Sequence, residues 1–564
     1  MKTKIILFLT VVSMTFGGCT FLDYDESSFY KKEDVFSSFQ RSKEFLANIY
    51  SYLPTKYGLV GGSLRSAACD EAIWVEKLSV INRFNNGSWN AINTVDNSWH
   101  YFAGIRAVNL FVEEVKGQEF DELKNNQDYA EMMNQFKYYP YEARFLRAYF
   151  YFELAKRYGD IPLIITVLTS DEANKLERTP FEQVIDFIVS ECTQIAPELP
   201  VNYNNITQQE VGRITRGAAL ALKSKALLYA ASPLFNTGQD KTKWEKAAKA
   251  AADVIKIAGA SGYTPLPKLS NLWNKNYAIN NELILGIIEG ESNSFELANF
   301  PVGIEGGGTT GTCPSQNLVD AFEMQATGLP ISDEAGYQQA DLAYDSQNPY
   351  VGRDPRLNAS IVVNNSVWVY GEKIECWTGG RSGAPVNYAT ATGYYLKKYV
   401  DSSVSLKAEN ITSKRHVWNI IRYSEILLNY AEAMINAYGN QNYKSADLPM
   451  SAAEAVNMVR ARQGVNMPPF PNTLSPEEFL KKLKNERMIE LAFEDQRFWD
   501  IRRWKEGAKV ADIYGVQITR NGDHFNYKKV LVEKRVFDEK MYLYPIPQSE
   551  MLINKQLKQN AGWN

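Results

Sequence analysis

What most constrains the fold of this 564-residue chain is a helical period that returns in pairs. Tyr141, Phe145, Ala148, Tyr149, Phe152 and Ala155 recur at three, four and seven, which puts one wide apolar face on a single helix. Tyr158-Gly159-Asp160-Ile161-Pro162 breaks that pattern, and Thr179-Pro180 opens the next one, carried by Phe181, Val184, Ile185, Ile188 and Val189. Two helices joined by such a break form a hairpin. The arrangement repeats at Ile214 to Ala231 with Trp244 to Ile257, and at Trp418 to Tyr438 with Ala452 to Arg462. Small residues such as Ala218, Ala219, Ala247 and Ala251 on the inner faces allow close helix packing. The predicted fold is therefore mainly α, built of tetratricopeptide-like helical hairpins, although the strict consensus of about 34 residues is absent. Between about 259 and 410 the pattern changes. Gly, Asn, Ser and Thr rise, and only strand-like runs such as Leu283 to Ile288 and Ser360 to Val363, with a short helix near Gln316 to Phe322, interrupt the loops. This reads as a loop-rich lobe inserted between two stretches of helical scaffold, about 30–258 and 411–564. Long irregular segments of this kind usually carry function.

Composition narrows the function. A formal charge of -4 supplies no electrostatic footprint for nucleic acid, so no nucleic-acid partner is expected. Three histidines, His100, His416 and His524, leave little for a multi-histidine metal centre, and no cofactor or metal is expected. Gly306-Gly307-Gly308-Thr309-Thr310-Gly311 matches a nucleotide fingerprint in letters only. No strand precedes it and Cys313-Pro314 follow it, so a flexible loop is the better reading. Glu486, Glu490 and Glu494 stand four apart on what reads as one helix running on through Arg497 to Trp504. Interleaved with Arg487 and Arg497, they suit a salt-bridged structural helix better than the two carboxylates that flank a scissile glycosidic bond. No catalytic residue is assigned, and the chain is not read as an enzyme. Cys69, Cys192, Cys313 and Cys376 are widely spaced and lack any CxxC pair, so buried free thiols are expected.

The first eighteen residues have the layout of a signal peptide: Lys2 and Lys4, the apolar run Ile5 to Val12, then Thr15-Phe16-Gly17-Gly18 before Cys19. That ending is similar to a bacterial lipobox, with Phe16 where Leu is usual, which makes Cys19 the lipidation site. Several acyl chains at about 0.8 kcal/mol per buried methylene would hold the mature chain, 19–564, on a membrane.

Six segments resemble, in order, those of the SusD/RagB outer-membrane lipoproteins. They are Cys19 with Phe21-Leu22-Asp23; Glu142 to Tyr149; Tyr158 to Leu163; Arg422-Tyr423-Ser424-Glu425 with Asn429 to Ala433; Glu486-Arg487 through Trp504; and Tyr544-Pro545-Ile546-Pro547 with Gln559 to Trp563. The resemblance implies a non-enzymatic lipoprotein on the outer face of the outer membrane. It would sit on a SusC-like TonB-dependent transporter and capture an oligosaccharide, or in some members a peptide. Asp23, Asp25 and Glu26 are similar to the family's acidic export tag. A surface glycoside hydrolase on the same scaffold is the remaining alternative.

Sugars offer C–H faces to aromatic planes and hydroxyls to polar partners. Asp70, Trp74, Arg83, Trp89 and Asn90 combine both in one turn-rich stretch, in a placement that resembles the family's ligand-face loops. Phe295, Cys313, Trp368, Tyr370, Trp377 and Arg381 form a second group in the inserted lobe. Trp89 is expected to be a solvent-facing platform, whereas Trp99, Trp418, Trp499 and Trp504 are assigned to helices and to packing.

Overall fold

The computed structural model describes residues 31–203, 212–265 and 281–563. The signal segment, Cys19, Asp23, Asp25 and Glu26 lie outside these residues. The longer helices are α1 (Phe39–Tyr50), α2 (Tyr101–Glu114), α3 (Tyr139–Tyr158), α4 (Phe181–Ile195), α5 (Arg216–Ala231), α6 (Lys241–Ser261), α7 (Tyr423–Tyr438), α8 (Ala452–Arg460) and α9 (Pro476–Glu490). From α2 to α8 each helix packs on the next in sequence, and α9 also packs on α7. This is the expected stack of hairpins.

Local chemistry sets the ends. The Thr215 side chain caps α5 by accepting from Ala218 N–H, and Ser451 with Glu454 and Ser475 with Glu478 form capping boxes at α8 and α9. Ala218, Ala219, Ala248 and Ala251 are fully buried, so α5 and α6 meet along small side chains. The inserted segment leaves after α6 and returns before α7, yet α6 and α7 pack directly on each other. The lobe therefore stands outside the stack rather than interrupting it. Four two-stranded antiparallel sheets complete the described chain: β1 (Ala72–Trp74) with β3 (Thr312–Pro314), β2 (Leu283–Ile288) with β6 (Val417–Arg422), β4 (Ile361–Val362) with β5 (Tyr395–Leu396), and β7 (Asp512–Asn521) with β8 (His524–Lys534). The four cysteines among the described residues are free and buried.

Two sequence expectations change here. The helix expected from Trp418 begins only at Tyr423, because Val417–Arg422 is a strand with all six residues buried. Its continuous apolar run carries no period that separates strand from helix. Trp99 likewise precedes α2 instead of lying on it. The second change concerns the glutamate stripe, which is not on one continuous helix. α9 ends at Glu490, Phe493 and Asp495 take positive φ of 62° and 60°, and a new short helix, Arg497–Arg503, follows the turn.

That turn sends the three carboxylates to tertiary partners. Glu486 meets Arg460 at 2.6 Å, and Glu490 meets Arg356 and Arg422 at 2.9 and 2.8 Å. Glu494 accepts from Arg422 at 2.6 Å and is also held by Lys398. Every side chain in this set is 3% exposed or less. Arg487 and Arg497, expected to pair along the helix, instead reach Asp500 at 2.6 Å and Asp70 at 2.7 Å. Burial alone would raise the Glu490 carboxyl, but Arg462, Arg422 and Arg356 override it and hold it well below the ordinary carboxylate range. A carboxylate with a depressed pKa stabilises the fold above its unfolded-state pKa and loses that contribution as pH falls through the folded value. Glu490→Gln is expected to cost about 3–5 kcal/mol in urea unfolding, since it strands buried guanidinium charge. The variant should also lose part of the parent's fall in stability on acidification below about pH 4.5, near the ordinary carboxylate value.

Candidate functional site

The structure divides the eleven sequence candidates. Asp70 is 5% exposed and carries both hydrogen bonds from Arg497, at 2.8 and 2.7 Å, so it is part of the core. Trp89, expected at the surface, is 2% exposed and lies among Phe84, Tyr544 and Trp563, with ring centroids 4.6 to 5.1 Å away. Two of these partners, Tyr544 and Trp563, come from the far end of the chain, which local turn chemistry could not reveal. Phe295 is buried against Tyr57, at 4.4 Å between ring centroids. Cys313 is buried in β3, and burial pushes its thiol up to about 11. These four are corrected to packing positions.

The other seven are not buried, and Trp74, Trp368, Tyr370, Trp377 and Arg381 lie in or against the lobe. Trp74 ends β1, and the register pairs Trp74 with Thr312 and Ile73 with Cys313, which joins the N-terminal stretch to the inserted lobe. From β3 the chain runs back through the Gly306–Gly311 loop, which is not free. Thr309 N–H donates to Leu297 C=O at 2.8 Å and Thr310 N–H to Phe300 C=O at 3.1 Å. Gly311, at φ +44°, lies so close that a Cβ there would be 2.3 Å from Ala298 O and 3.0 Å from the Trp74 ring. The glycines serve close approach to protein rather than phosphate binding. At its other end the loop meets Tyr370, whose hydroxyl donates to Gly306 C=O at 3.1 Å and accepts from Leu406 N–H at 2.8 Å. One glycine loop thus spans from the Trp74 ring to the Tyr370 hydroxyl.

Around it, Trp368 and Tyr370 stand edge-on to Phe300 at 5.8 and 6.3 Å, and Lys407 Nζ sits 5.0 Å above the Tyr370 ring. Trp377 is clasped by Gly379 and Gly380, with Arg520 5.5 Å over its ring. Exposed Arg381 pairs with Glu372 at 2.7 Å. Trp74, Trp368, Tyr370 and Trp377 are half-buried. Arg83 donates to Asn93 Oδ1, and Asn90 Oδ1 accepts from Ile92 and Asn93 N–H at 2.9 and 2.8 Å, so both shape the neighbouring turn. Leu78, 96% exposed beyond Trp74, and the β7–β8 residue Arg520 were not singled out from sequence. Leu78 carries no local signal that separates it from a buried leucine. Arg520 is over 140 residues from Trp377 in the chain.

Such a molecule is a helical scaffold that presents a loop-built aromatic face, and no helix among the described residues is long and apolar enough to cross a membrane. Comparison with known proteins agrees along most of its length. The SusD family model matches residues 286–563, and a family described as starch-binding and associating with the outer membrane matches residues 20–228. The chain belongs to the SusD/RagB family. It is 25% identical over 434 residues to SusD-like protein P2 of Formosa agariphila, covering 74% of this chain and 72% of that one. A SusD-like protein from Bacteroides fragilis superposes with a TM-score of 0.76 at 27% identity, over 94% of this chain and 98% of the other. A SusD-like carbohydrate binding protein from the same species gives 0.72 at 25% identity, over 93% and 100%.

One buried group beneath the β1–β3 junction titrates far from its ordinary value. Glu71, whose backbone C=O accepts from Ser315 N–H at 2.9 Å, is 1% exposed, and burial with the adjacent Asp70 charge raises its carboxyl to about 8. A raised pKa means that the stabilisation present below the unfolded value, near 4.5, is lost as pH rises through about 8. Thermal unfolding of the parent should therefore shift to lower temperature between these pH values. Glu71→Gln, uncharged throughout, should show a flatter profile across that window.

Proposed function

We propose that this chain is a cell-surface lipoprotein that captures oligosaccharide or polysaccharide on its loop face and delivers it to a SusC-like TonB-dependent transporter in the outer membrane. The observation that carries this reading is the set of four half-buried aromatic side chains, Trp74, Trp368, Tyr370 and Trp377, held outside the helical stack next to Arg381, Lys407 and Arg520. Half-buried aromatic rings at the surface suit the C–H faces of sugars, and neighbouring cations suit their hydroxyls. The matching family described as starch-binding and the related carbohydrate binding protein from Bacteroides fragilis support the same ligand class. The glutamate stripe gives no support to hydrolysis, because its carboxylates are buried, deprotonated and fully engaged with arginine. In this reading Cys19 carries the lipid, and the anchor leaves the helical stack free to meet the transporter.

Affinity electrophoresis in gels containing starch or other soluble glucans tests the loop face. Trp74→Ala and Trp377→Ala should each weaken retention by about 5-fold to 100-fold, by analogy with stacking on an aromatic side chain. Both should unfold closer to the parent temperature than Trp89→Ala does, since a half-buried surface ring leaves less enclosed cavity behind than a core ring. Unchanged retention in both variants would remove the loop face as the ligand site. Trp89→Ala should instead lose about 3–5 kcal/mol of stability, because it empties a core position. For the anchor, Cys19→Ala should abolish metabolic lipid labelling and release the chain from the membrane fraction. A variant still labelled and retained would refute lipidation at this cysteine.

A further inference from the structure

Behind the loop face, three segments meet at one carboxylate oxygen. Glu296 lies on the short helix Ser294–Asn299 and is fully buried. Its Oε1 is 2.8 Å from Nε2 of His416, the residue before β6, and accepts from Asp401 N–H at 3.0 Å. Its Oε2, also buried, accepts no hydrogen bond. The side chain is therefore held through Oε1, and among the described residues only His416 is in ion-pair contact with it. A carboxylate buried this way is costly, so the partner at Oε1 decides how firmly it is fixed.

Both parts of the loop face hang from this point. The glycine loop is carried by the short helix: Thr309 and Thr310 N–H donate to the carbonyls of Leu297 and Phe300 at 2.8 and 3.1 Å, and Thr312 N–H to Asn299 Oδ1 at 3.1 Å. Phe300, whose N–H donates to Glu296 C=O at 2.7 Å, backs Trp368 and Tyr370. Asp401 opens the segment that reaches Leu406, whose N–H donates to the Tyr370 hydroxyl, and Lys407, over the Tyr370 ring. His416 stands on the other side of the oxygen, where the chain enters β6 and then α7.

Of the groups facing the imidazole, Glu296 is the one in direct contact with its charge. Asp401 adds a second negative charge, but its Oδ1 already accepts from Ser403 N–H and Oγ at 2.9 and 2.7 Å. Glu289, just after β2, meets His416 through the backbone, its N–H donating to the His416 C=O at 2.9 Å, and Lys414 contributes through its backbone. The Tyr57 ring lies 6.0 Å away, and burial pushes its hydroxyl up, so it stays neutral. Burial alone would lower His416, but the Glu296 hydrogen bond and charge, with Asp401, override it and hold the imidazole above its ordinary value of 6.5. A raised pKa means that the contribution is full below the unfolded value and is lost as pH rises through the folded one. A neutral ring offers at most an uncharged hydrogen bond, roughly half as strong.

We infer that His416 is a positioning residue for the loop face: its charged ring fixes the Glu296 oxygen from which the glycine loop and the Tyr370 segment both hang, so the face is held most firmly when His416 is protonated. That these loops take ligand rests on the proposed function; that His416 positions them does not.

Hydrogen exchange, read as protection relative to an unstructured chain at each pH, tests this without ligand. From about pH 5.5 to about pH 8.5 the amides of Thr309, Thr310 and Thr312 should lose about 3-fold to 10-fold in protection, the difference between a charged and a neutral hydrogen bond. The loss should persist in Glu71→Gln, which removes the other buried titration of this pH range near the loop, and vanish in His416→Gln, which keeps a donor and never charges. Its midpoint should match that of the His416 ring followed by NMR in histidine-labelled parent, where only His100 and His524 share the spectrum; this comparison decides the matter even if His416→Gln does not fold. Protection that ignores pH, that changes with a midpoint away from the His416 ring, or that keeps its pH dependence in His416→Gln overturns the positioning role. Retention in polysaccharide gels should weaken over the same range. Flat retention in a parent whose Trp74→Ala and Trp377→Ala variants lose theirs would break the link from His416 to ligand, whereas His416-linked protection with retention untouched by both tryptophan variants would sink the loop-face reading alone.

Discussion

The structure depends first on a buried cluster in which glutamates of α9 and of the turn after it meet guanidinium groups brought from distant parts of the chain. Arg356 comes from the inserted lobe, Arg422 from the end of β6, and Arg460 from α8. Each group is expensive to bury alone, so the cluster is stable only when all of these elements are in place together. It therefore ties the lobe to the helical stack by a term that non-directional apolar contact cannot supply. The positive-φ residues Phe493 and Asp495 are part of the same arrangement, since they turn Glu494 toward Arg422 and Lys398 instead of extending α9.

With the lobe anchored in this way, its surface is free to consist of loops. Those loops are nevertheless positioned closely, because the glycine run packs against Leu297, Ala298 and Trp74 and is closed at its far end by Tyr370. A rigid scaffold carrying preorganised loops suits binding, since less ordering entropy is lost when ligand arrives. The same logic explains why the aromatic side chains divide into two populations. Trp89, Trp418 and Trp499 fill the junctions between elements, whereas Trp74, Trp368 and Trp377 are only half-buried.

Much of this was legible in the residues. The hairpins from α3 to α6, the break at Gly159 to Pro162 and the start at Pro180 all follow from period and punctuation, which are local and survive in a single sequence. Trp74 and the lobe tryptophans, picked out because clustered aromatics in turn-rich sequence are unusual, are half-buried in the structure. The candidates at Asp70, Trp89, Phe295 and Cys313 failed for one shared reason: the burial of each depends on distant chain, such as Arg497 for Asp70 and Trp563 for Trp89.

The sequence by itself determined the helical class, the order of hairpins and lobe, and a family resemblance spread along the chain, since each rests on short-range periodicity or on motifs read in order. Only the tertiary structure decided which aromatics stay partly exposed and where the glutamates find their arginines. Burial and ion pairing are set by contacts between residues 26 to 427 positions apart, and no local pattern encodes which of several chemically equal side chains will be covered.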